Sequence, residues 1–130
     1  MQLREGTVGL GVHKSKDFAT SLGPWLVTAD ELPYEDGRIR AGGRVEVNGE
    51  VVTETSTELQ RFSFEEMRAA AARNTRLRPG DVLASGTLDR GCIAEFGPPG
   101  EQRWLQPGDT VRLVVDGLGA LHNTIEQSDQ

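Results

Sequence analysis

Turn-forming residues break the apolar runs of this 130-residue chain at short intervals, and this spacing constrains its fold more than any other feature. Sixteen glycines and six prolines separate short runs of Val, Leu and Ile. We therefore predict a β-rich α+β fold, organised as a single domain over residues 1–130. The predicted strands are residues 25–28, 44–48, 50–53, 81–84, 92–96, 110–115 and 120–124.

Two turns predict how neighbouring strands pair. In "EVNGEVV", Asn48-Gly49 lies between alternating segments, and this dipeptide favours a tight hairpin because both residues tolerate positive φ. In "VDGLGALHNTI", Asp116-Gly117 predicts a second hairpin, with a turn that extends toward Gly119.

One segment, "FSFEEMRAAAARN", predicts a helix. Ser63 and Glu66 have the spacing of a capping box, and alanine, the strongest helix former, fills the interior. Apolar side chains recur at helical spacing, so we expect one face to pack on the sheet. These side chains are Phe64, Met67, Ala70 and Ala71.

Composition argues against several classes of partner. With 14 Lys+Arg against 20 Asp+Glu, the net charge is −6, which disfavours binding to nucleic acid. No apolar stretch approaches the length of a membrane span or a signal-peptide core, so we expect a cytoplasmic protein with no membrane partner. Cys92, His13 and His122 have no zinc-binding spacing.

Three stretches together carry more information than composition: "KDFATSLGPWLVTADEL", "LRPGDVLASGT" and "GCIAEF". They closely resemble the catalytic region of the fumarylacetoacetate hydrolase family, and the similarity continues through "VNGEVV" and "LQPGDTVRLVVDGLGALHNTI". The resemblance implies a mixed β-sandwich roll, incomplete here on its N-terminal side, and a homodimer. It also implies hydrolysis of C–C bonds in small oxo-acids, in the catabolism of aromatic compounds, with Mg²⁺ or another divalent ion such as Mn²⁺ or Ca²⁺.

The resemblance also assigns roles to five residues. Lys16 matches the lysine whose ammonium stabilises the enolate formed when a C–C bond beside a carbonyl breaks. Thr87 matches a threonine that binds the substrate carboxylate, and Glu95 a glutamate that orients a base or water. Gln2 fits a glutamine of the substrate site, and Thr20 a threonine near the metal. From the residues alone, Thr20 can equally cap a loop, and Glu95 can lie on the wet face of a strand.

Asp89 and Arg90 lie in the loop between Thr87 and Glu95, a position that could line the pocket. The pattern at these two positions varies among relatives, so no role is assigned to them.

The family's metal ligands have no counterpart in this sequence. They are a Glu-x-Glu pair and an aspartate of an Asp-x-Ser-x-Arg-Asp-x-Gln motif, of which only Gln2 has a match; the lid histidine is also missing. Mg²⁺ requires oxygen ligands, usually carboxylates. We therefore expect weak or absent metal binding by this chain alone. The chain is a fragment of a longer enzyme, is completed by another polypeptide, or is an inactive copy; we favour the first.

Three functions remain open. The leading hypothesis is a Mg²⁺-dependent hydrolase of fumarylacetoacetate- or acylpyruvate-type oxo-acids. The second is an isomerase or decarboxylase of 2-hydroxymuconate-type dioates, in which Lys16 again stabilises an enolate. The third is a non-catalytic binding or assembly module, because the metal carboxylates are missing and enzymatic activity is therefore uncertain.

Overall fold

A computed structural model of the chain describes residues 6–9, 19–98 and 100–127. Gln2 and Lys16 lie outside these ranges. The described part contains six strands and one α-helix of more than one turn, which confirms the predicted β-rich α+β class. No helix in this part of the chain is long and apolar enough to cross a membrane.

The strands form a small hairpin and a four-stranded antiparallel sheet. The hairpin consists of β1 and β2, and the sheet has the order β4-β3-β5-β6. The bounds are β1 Tyr34–Glu35, β2 Arg38–Ile39, β3 Gly42–Val47, β4 Glu50–Ser56, β5 Thr110–Val115 and β6 Gly119–Thr124. The two central strands, β3 and β5, are distant in sequence, so their pairing joins two segments that lie far apart along the chain.

Both predicted hairpins are present. Asn48 and Gly49 have φ values of 53° and 83°, the left-handed conformation that a two-residue turn between β3 and β4 requires. The register of this hairpin shifts by one residue between Val45 and Glu46. A bulge there places Glu46 opposite Val51 but Val45 opposite Thr53. The second turn spans residues 116–118, and Val115 pairs with Gly119.

The sheet has one apolar and one charged face. Because side chains alternate along a strand, Val45 and its partner Leu113 share the first face, whereas Arg44, Glu46 and Arg112 share the second. On the charged face, Glu46 accepts hydrogen bonds from Arg44 at 2.7 Å and from Arg112 at 2.9 Å. These two hydrogen bonds hold the pKa of the Glu46 carboxyl below its ordinary value, and the bond from Arg44 has the larger effect.

The helix α1, Phe64–Ala71, begins at the predicted capping box. The Ser63 hydroxyl accepts from the backbone N–H of Glu66 at 3.1 Å, and the Glu66 carboxylate accepts from the backbone N–H of Ser63 at 2.7 Å. The helix lies beside the β1–β2 hairpin, where Tyr34 donates to Glu65 at 2.6 Å. No helix residue is buried, and Met67 faces β4 only across a cavity that it lines together with Ser56.

Three predicted strands are wrong. Residues 25–28 and 81–84 form no strand, and residues 92–96 contain a one-turn 3-10 helix, Ile93–Glu95. A strand requires a neighbour to pair with, and no described strand pairs with these segments. In the segment 92–96, the Glu95 carboxylate accepts a hydrogen bond from the backbone N–H of Cys92 at 3.4 Å, and this bond favours a helical turn.

The core of the described part is small. Its buried apolar side chains are Leu32 and Ala41, at 8% and 7% exposure. Ala41 lies where β2 leads into β3, and its N–H donates to the buried Thr57 hydroxyl at 2.8 Å. Most of the large apolar side chains therefore keep one side open to solvent or to a cleft.

Candidate functional site

A cleft of about 620 Å³ opens between the apolar face of the sheet and residues 87–105. Valines of the sheet line one wall, and larger apolar side chains line the other. The sheet residues are Val45, Val47, Val52 and Val111, and the facing residues are Ile93, Phe96, Trp104 and Leu105. A concave, mostly apolar site with a few polar groups is typical of small-molecule binding.

Thr87, the predicted carboxylate-binding residue, lines this cleft and is exposed. It follows Gly86, whose φ of +82° is a conformation that residues with a side chain rarely adopt. Thr87 also borders a second cavity, of about 480 Å³, on its other side. A ligand in the cleft can therefore reach the Thr87 hydroxyl, and the carboxylate-binding role stays a prediction.

The charged groups of the cleft are two arginines and two carboxylates, Glu50 and Asp109. Asp109 accepts from the Asn48 side-chain amide at 2.8 Å and from the backbone N–H of Gln106 at 2.7 Å. These two hydrogen bonds, with a smaller contribution from the charge of Arg103, hold the pKa of Asp109 below its ordinary value. The guanidinium of Arg90 lies over the Phe96 ring, 5.7 Å from its centroid. The cleft therefore combines apolar walls with charged groups of both signs.

Glu95 does not line the cleft, although Ile93 of the same 3-10 helix does. Its side chain is exposed, and its carboxylate turns back to the backbone N–H of Cys92. The local strand expected for this glutamate is wrong, whereas its role in orienting a base or water stays a prediction.

Thr20 lies at the start of the described segment that follows the predicted site lysine, and it is exposed. Its neighbour Ser21 donates to the Asn123 side chain of β6 at 2.5 Å, and Trp25 donates to the Leu118 carbonyl at 3.0 Å. Asn123 pairs with Val111 of the cleft wall, so this segment reaches the apolar face of the sheet. Ser21, the neighbour of Thr20, thus reaches the apolar face, whereas Thr20 does not line the cleft, and its role near a metal stays a prediction.

Sequence reasoning did not assign Arg90, Arg103 or Trp104 to the site. Arg90 follows Thr87 by three residues, and its proximity to that threonine was its only signal. Arg103 and Trp104 lie in "EQRWLQ", where nothing in the residue pattern indicates a pocket, and only the fold of residues 87–105 brings them to Thr87.

The comparisons with known proteins agree with this architecture. The family model described as "Fumarylacetoacetate (FAA) hydrolase C-terminal" matches residues 1–126. The chain belongs to the fumarylacetoacetate hydrolase family. One relative is an uncharacterized protein of Staphylococcus saprophyticus, which is 34% identical to this chain over 115 residues. The aligned residues cover 88% of this chain and 36% of that protein. The chain thus spans little more than a third of the length of this relative.

Solved structures in this fold family support the same conclusion. A fumarylacetoacetate hydrolase from Exiguobacterium antarcticum has a TM-score of 0.68 and 26% identity, covering 82% of this chain and 36% of that chain. A putative HpcE protein from Mycobacterium smegmatis has a TM-score of 0.67 and 31% identity, covering 81% and 36%. A 5-carboxymethyl-2-hydroxymuconate delta-isomerase, also from Mycobacterium smegmatis, has a TM-score of 0.57 and 28% identity, covering 83% and 36%.

The described residues do not fit the divalent ion that the family implies. Within residues 6–9, 19–98 and 100–127, no group of three or more His, Cys, Asp or Glu side chains can hold a metal ion. The cleft carboxylate of Asp109 already accepts two hydrogen bonds from the protein. The chemistry assigned below therefore uses the side chains of this chain alone.

Proposed function

We propose that this chain forms the oxo-acid-binding part of a hydrolase that cleaves C–C bonds in fumarylacetoacetate- or acylpyruvate-type substrates. The observation that carries the proposal is the cleft in which Thr87 lies beside apolar walls and two arginines. Apolar walls suit the carbon chain of an oxo-acid, and the Thr87 hydroxyl suits its carboxylate. Family membership supports the reaction class.

The reaction assigns one task to each predicted residue. Water adds to the carbonyl carbon, and the bond between this carbon and the adjacent CH₂ breaks. The electron pair stays on the leaving carbon as an enolate, which then takes up a proton. Lys16 stabilises the developing negative charge, Thr87 holds the carboxylate and Glu95 orients the attacking water.

Gln2 and Thr20 complete the proposed site. Gln2 binds the substrate, and Thr20 is the residue that would approach the divalent ion that the family implies, Mg²⁺, Mn²⁺ or Ca²⁺. We expect that ion to bind weakly or not at all to the isolated chain, because Thr20 alone cannot replace carboxylate ligands. We further propose that the protein acts as a cytoplasmic homodimer in the catabolism of aromatic compounds.

An acetylpyruvate assay tests the hydrolase directly. The substrate is incubated with Mg²⁺ and the protein encoded by the full reading frame around this chain, and acetate and pyruvate are quantified by NMR. We expect turnover that Lys16→Met reduces by at least about tenfold, because the enolate loses its cation. Lys14→Met, two residues away, is the matched control and retains activity. Turnover that is unaffected by Lys16→Met contradicts the proposal.

Two other functions each have one supporting observation. The structural similarity to a 5-carboxymethyl-2-hydroxymuconate delta-isomerase supports isomerisation or decarboxylation of dioates. In that case NMR detects an isomer or CO₂ release rather than a cleaved pair of acids.

A non-catalytic binding or assembly module is supported by the lack of a metal-binding cluster among the described side chains. Calorimetric titration with Mg²⁺ and oxalate, an enolate mimic, discriminates this alternative. Metal-dependent oxalate binding by the chain contradicts the module.

A further inference from the structure

We propose that Arg90 binds a second carboxylate of the substrate and thereby selects dicarboxylic oxo-acids over monocarboxylic ones. This inference rests on the proposed function, because it takes the cleft beside Thr87 as the oxo-acid site. Arg90 and Thr87 both line that cleft. Three residues of chain span at most about 11 Å, so the two side chains can reach opposite ends of one small dicarboxylate.

The backbone of Arg90 has a conformation that arginine rarely adopts. The N–H of Gly91 donates to the Leu88 carbonyl at 2.8 Å, which closes a turn with Arg90 at its third position and a φ of 55°. Glycine or asparagine is the favoured residue at such a position, since a larger side chain is strained there. An arginine in this place indicates that its side chain serves a purpose other than forming the turn.

The turn is fixed to the sheet by a partly buried hydrogen bond. The hydroxyl of Thr53, on β4, donates to the Arg90 carbonyl at 2.8 Å. Thr53 is only 6% exposed, so this bond is partly protected from water and holds the turn over the apolar face. The start of the Arg90 side chain is therefore positioned by the strand beneath it.

The guanidinium of Arg90 is oriented by Phe96. A guanidinium that lies over an aromatic ring keeps its N–H groups at the edge, where they can bind a carboxylate in two places. In the part of the chain that the structure describes, no carboxylate forms an ion pair with Arg90. Arg103, on the same cleft, lies over no aromatic ring of the described residues, and its charge acts on Asp109, whose pKa it helps to lower. Arg90 is thus the better candidate for an incoming anion.

A matched pair of ligands tests this assignment. 2-Oxoglutarate and 2-oxopentanoate have the same carbon chain and differ only in the terminal carboxylate. Binding to the full chain is followed by the fluorescence of Trp104, a residue of the cleft, in a Trp25→Phe background. We expect 2-oxoglutarate to bind about tenfold more tightly, the smallest effect typical of a charge-assisted hydrogen bond.

The variants separate Arg90 from the rest of the cleft. Arg90→Gln is expected to abolish the preference for 2-oxoglutarate and to leave the affinity for 2-oxopentanoate unchanged. Arg90→Asn, which tolerates the positive φ, gives the same result with an equal or higher melting temperature. Arg103→Gln, the matched control, keeps the preference.

Each contrary outcome has a distinct meaning. If the protein without a substitution at Arg90 binds both ligands equally well, the proposed role of Arg90 is wrong, whereas the proposed function is not contradicted. Equal weakening of both ligands by Arg90→Gln and Arg90→Asn assigns Arg90 to the shared carboxylate and also overturns the inference. If neither ligand binds the full chain, the proposed oxo-acid site itself fails.

Discussion

At the scale of single residues, the account depends on Thr87. Thr87 is exposed at a cleft whose other wall is apolar, and its side chain makes no hydrogen bond in the described part of the chain. The hydroxyl is therefore available to a ligand, and its removal costs little folding energy. Binding and stability can be measured separately at this position.

Thr87→Val is expected to weaken oxo-acid binding by about tenfold or more, because a hydrogen bond to a charged carboxylate is lost. Thr87→Ser retains the hydroxyl and serves as the matched control. Calorimetric titration with acetylpyruvate measures the affinities, and thermal melting verifies that both variants fold. Equal affinities of the two variants contradict the assigned role.

At the scale of elements, the helix α1 depends on its capping box. Ser63→Ala is expected to lower the free energy of unfolding by about 1 kcal/mol, because the N–H of Glu66 loses its acceptor. Glu66→Gln retains an acceptor for the N–H of Ser63 and is expected to lose less. Urea unfolding followed by circular dichroism measures both. A larger loss in Glu66→Gln than in Ser63→Ala contradicts this assignment.

The pairing of β3 with β5 predicts a pH dependence. Because the folded pKa of Glu46 is lowered by Arg44 and Arg112, its contribution to stability is present above the unfolded pKa of about 4.3. The contribution is lost as the pH falls through the lowered folded pKa.

Glu46→Gln is therefore expected to destabilise the protein at pH 7 and to make less difference in strong acid. Glu58→Gln, on an exposed 3-10 turn, is the control. Urea unfolding from pH 7 down to pH 2.5 measures the difference. A loss of stability that stays the same at every pH contradicts the ion-pair explanation.

Local signals predicted the elements that form through local chemistry. Asn48-Gly49 sets the β3–β4 turn through positive φ, and Ser63 with Glu66 sets the start of α1. The apolar runs at 25–28 and 81–84 carry no such signal, because a short apolar run becomes a strand only when a neighbour pairs with it. Val82 remains 69% exposed, which is the physical sign of a run without that neighbour.

The candidate site was predictable only in part for the same reason. The "ASGT" motif identified Thr87, because the family motif is contiguous in sequence. The cleft itself is formed when residues 87–105 fold over β3 and β4, a long-range arrangement that no short motif encodes. Arg103 and Trp104 could therefore not be assigned before the structure.

At the scale of the whole molecule, more large apolar side chains are exposed than are buried in the part that the structure describes. Among the described residues, fourteen large apolar side chains are exposed and two apolar residues are buried. Apolar side chains exposed in this number favour association between copies. Light scattering at increasing concentration is expected to give a mass that rises from 14.1 kDa toward twice that value. A constant monomer mass contradicts the proposed homodimer.

The central claim is that the cleft beside Thr87 binds oxo-acids, and an NMR titration of the ¹⁵N-labelled chain with acetylpyruvate tests it most directly. The account predicts that the amide signals of Gly86, Thr87 and Gly91 and the indole N–H of Trp104 shift together with a single affinity. The indole N–H of Trp25, which donates to Leu118 away from the cleft, stays in place. Shifts confined to Trp25 and its neighbours, or none at saturating ligand, contradict the claim.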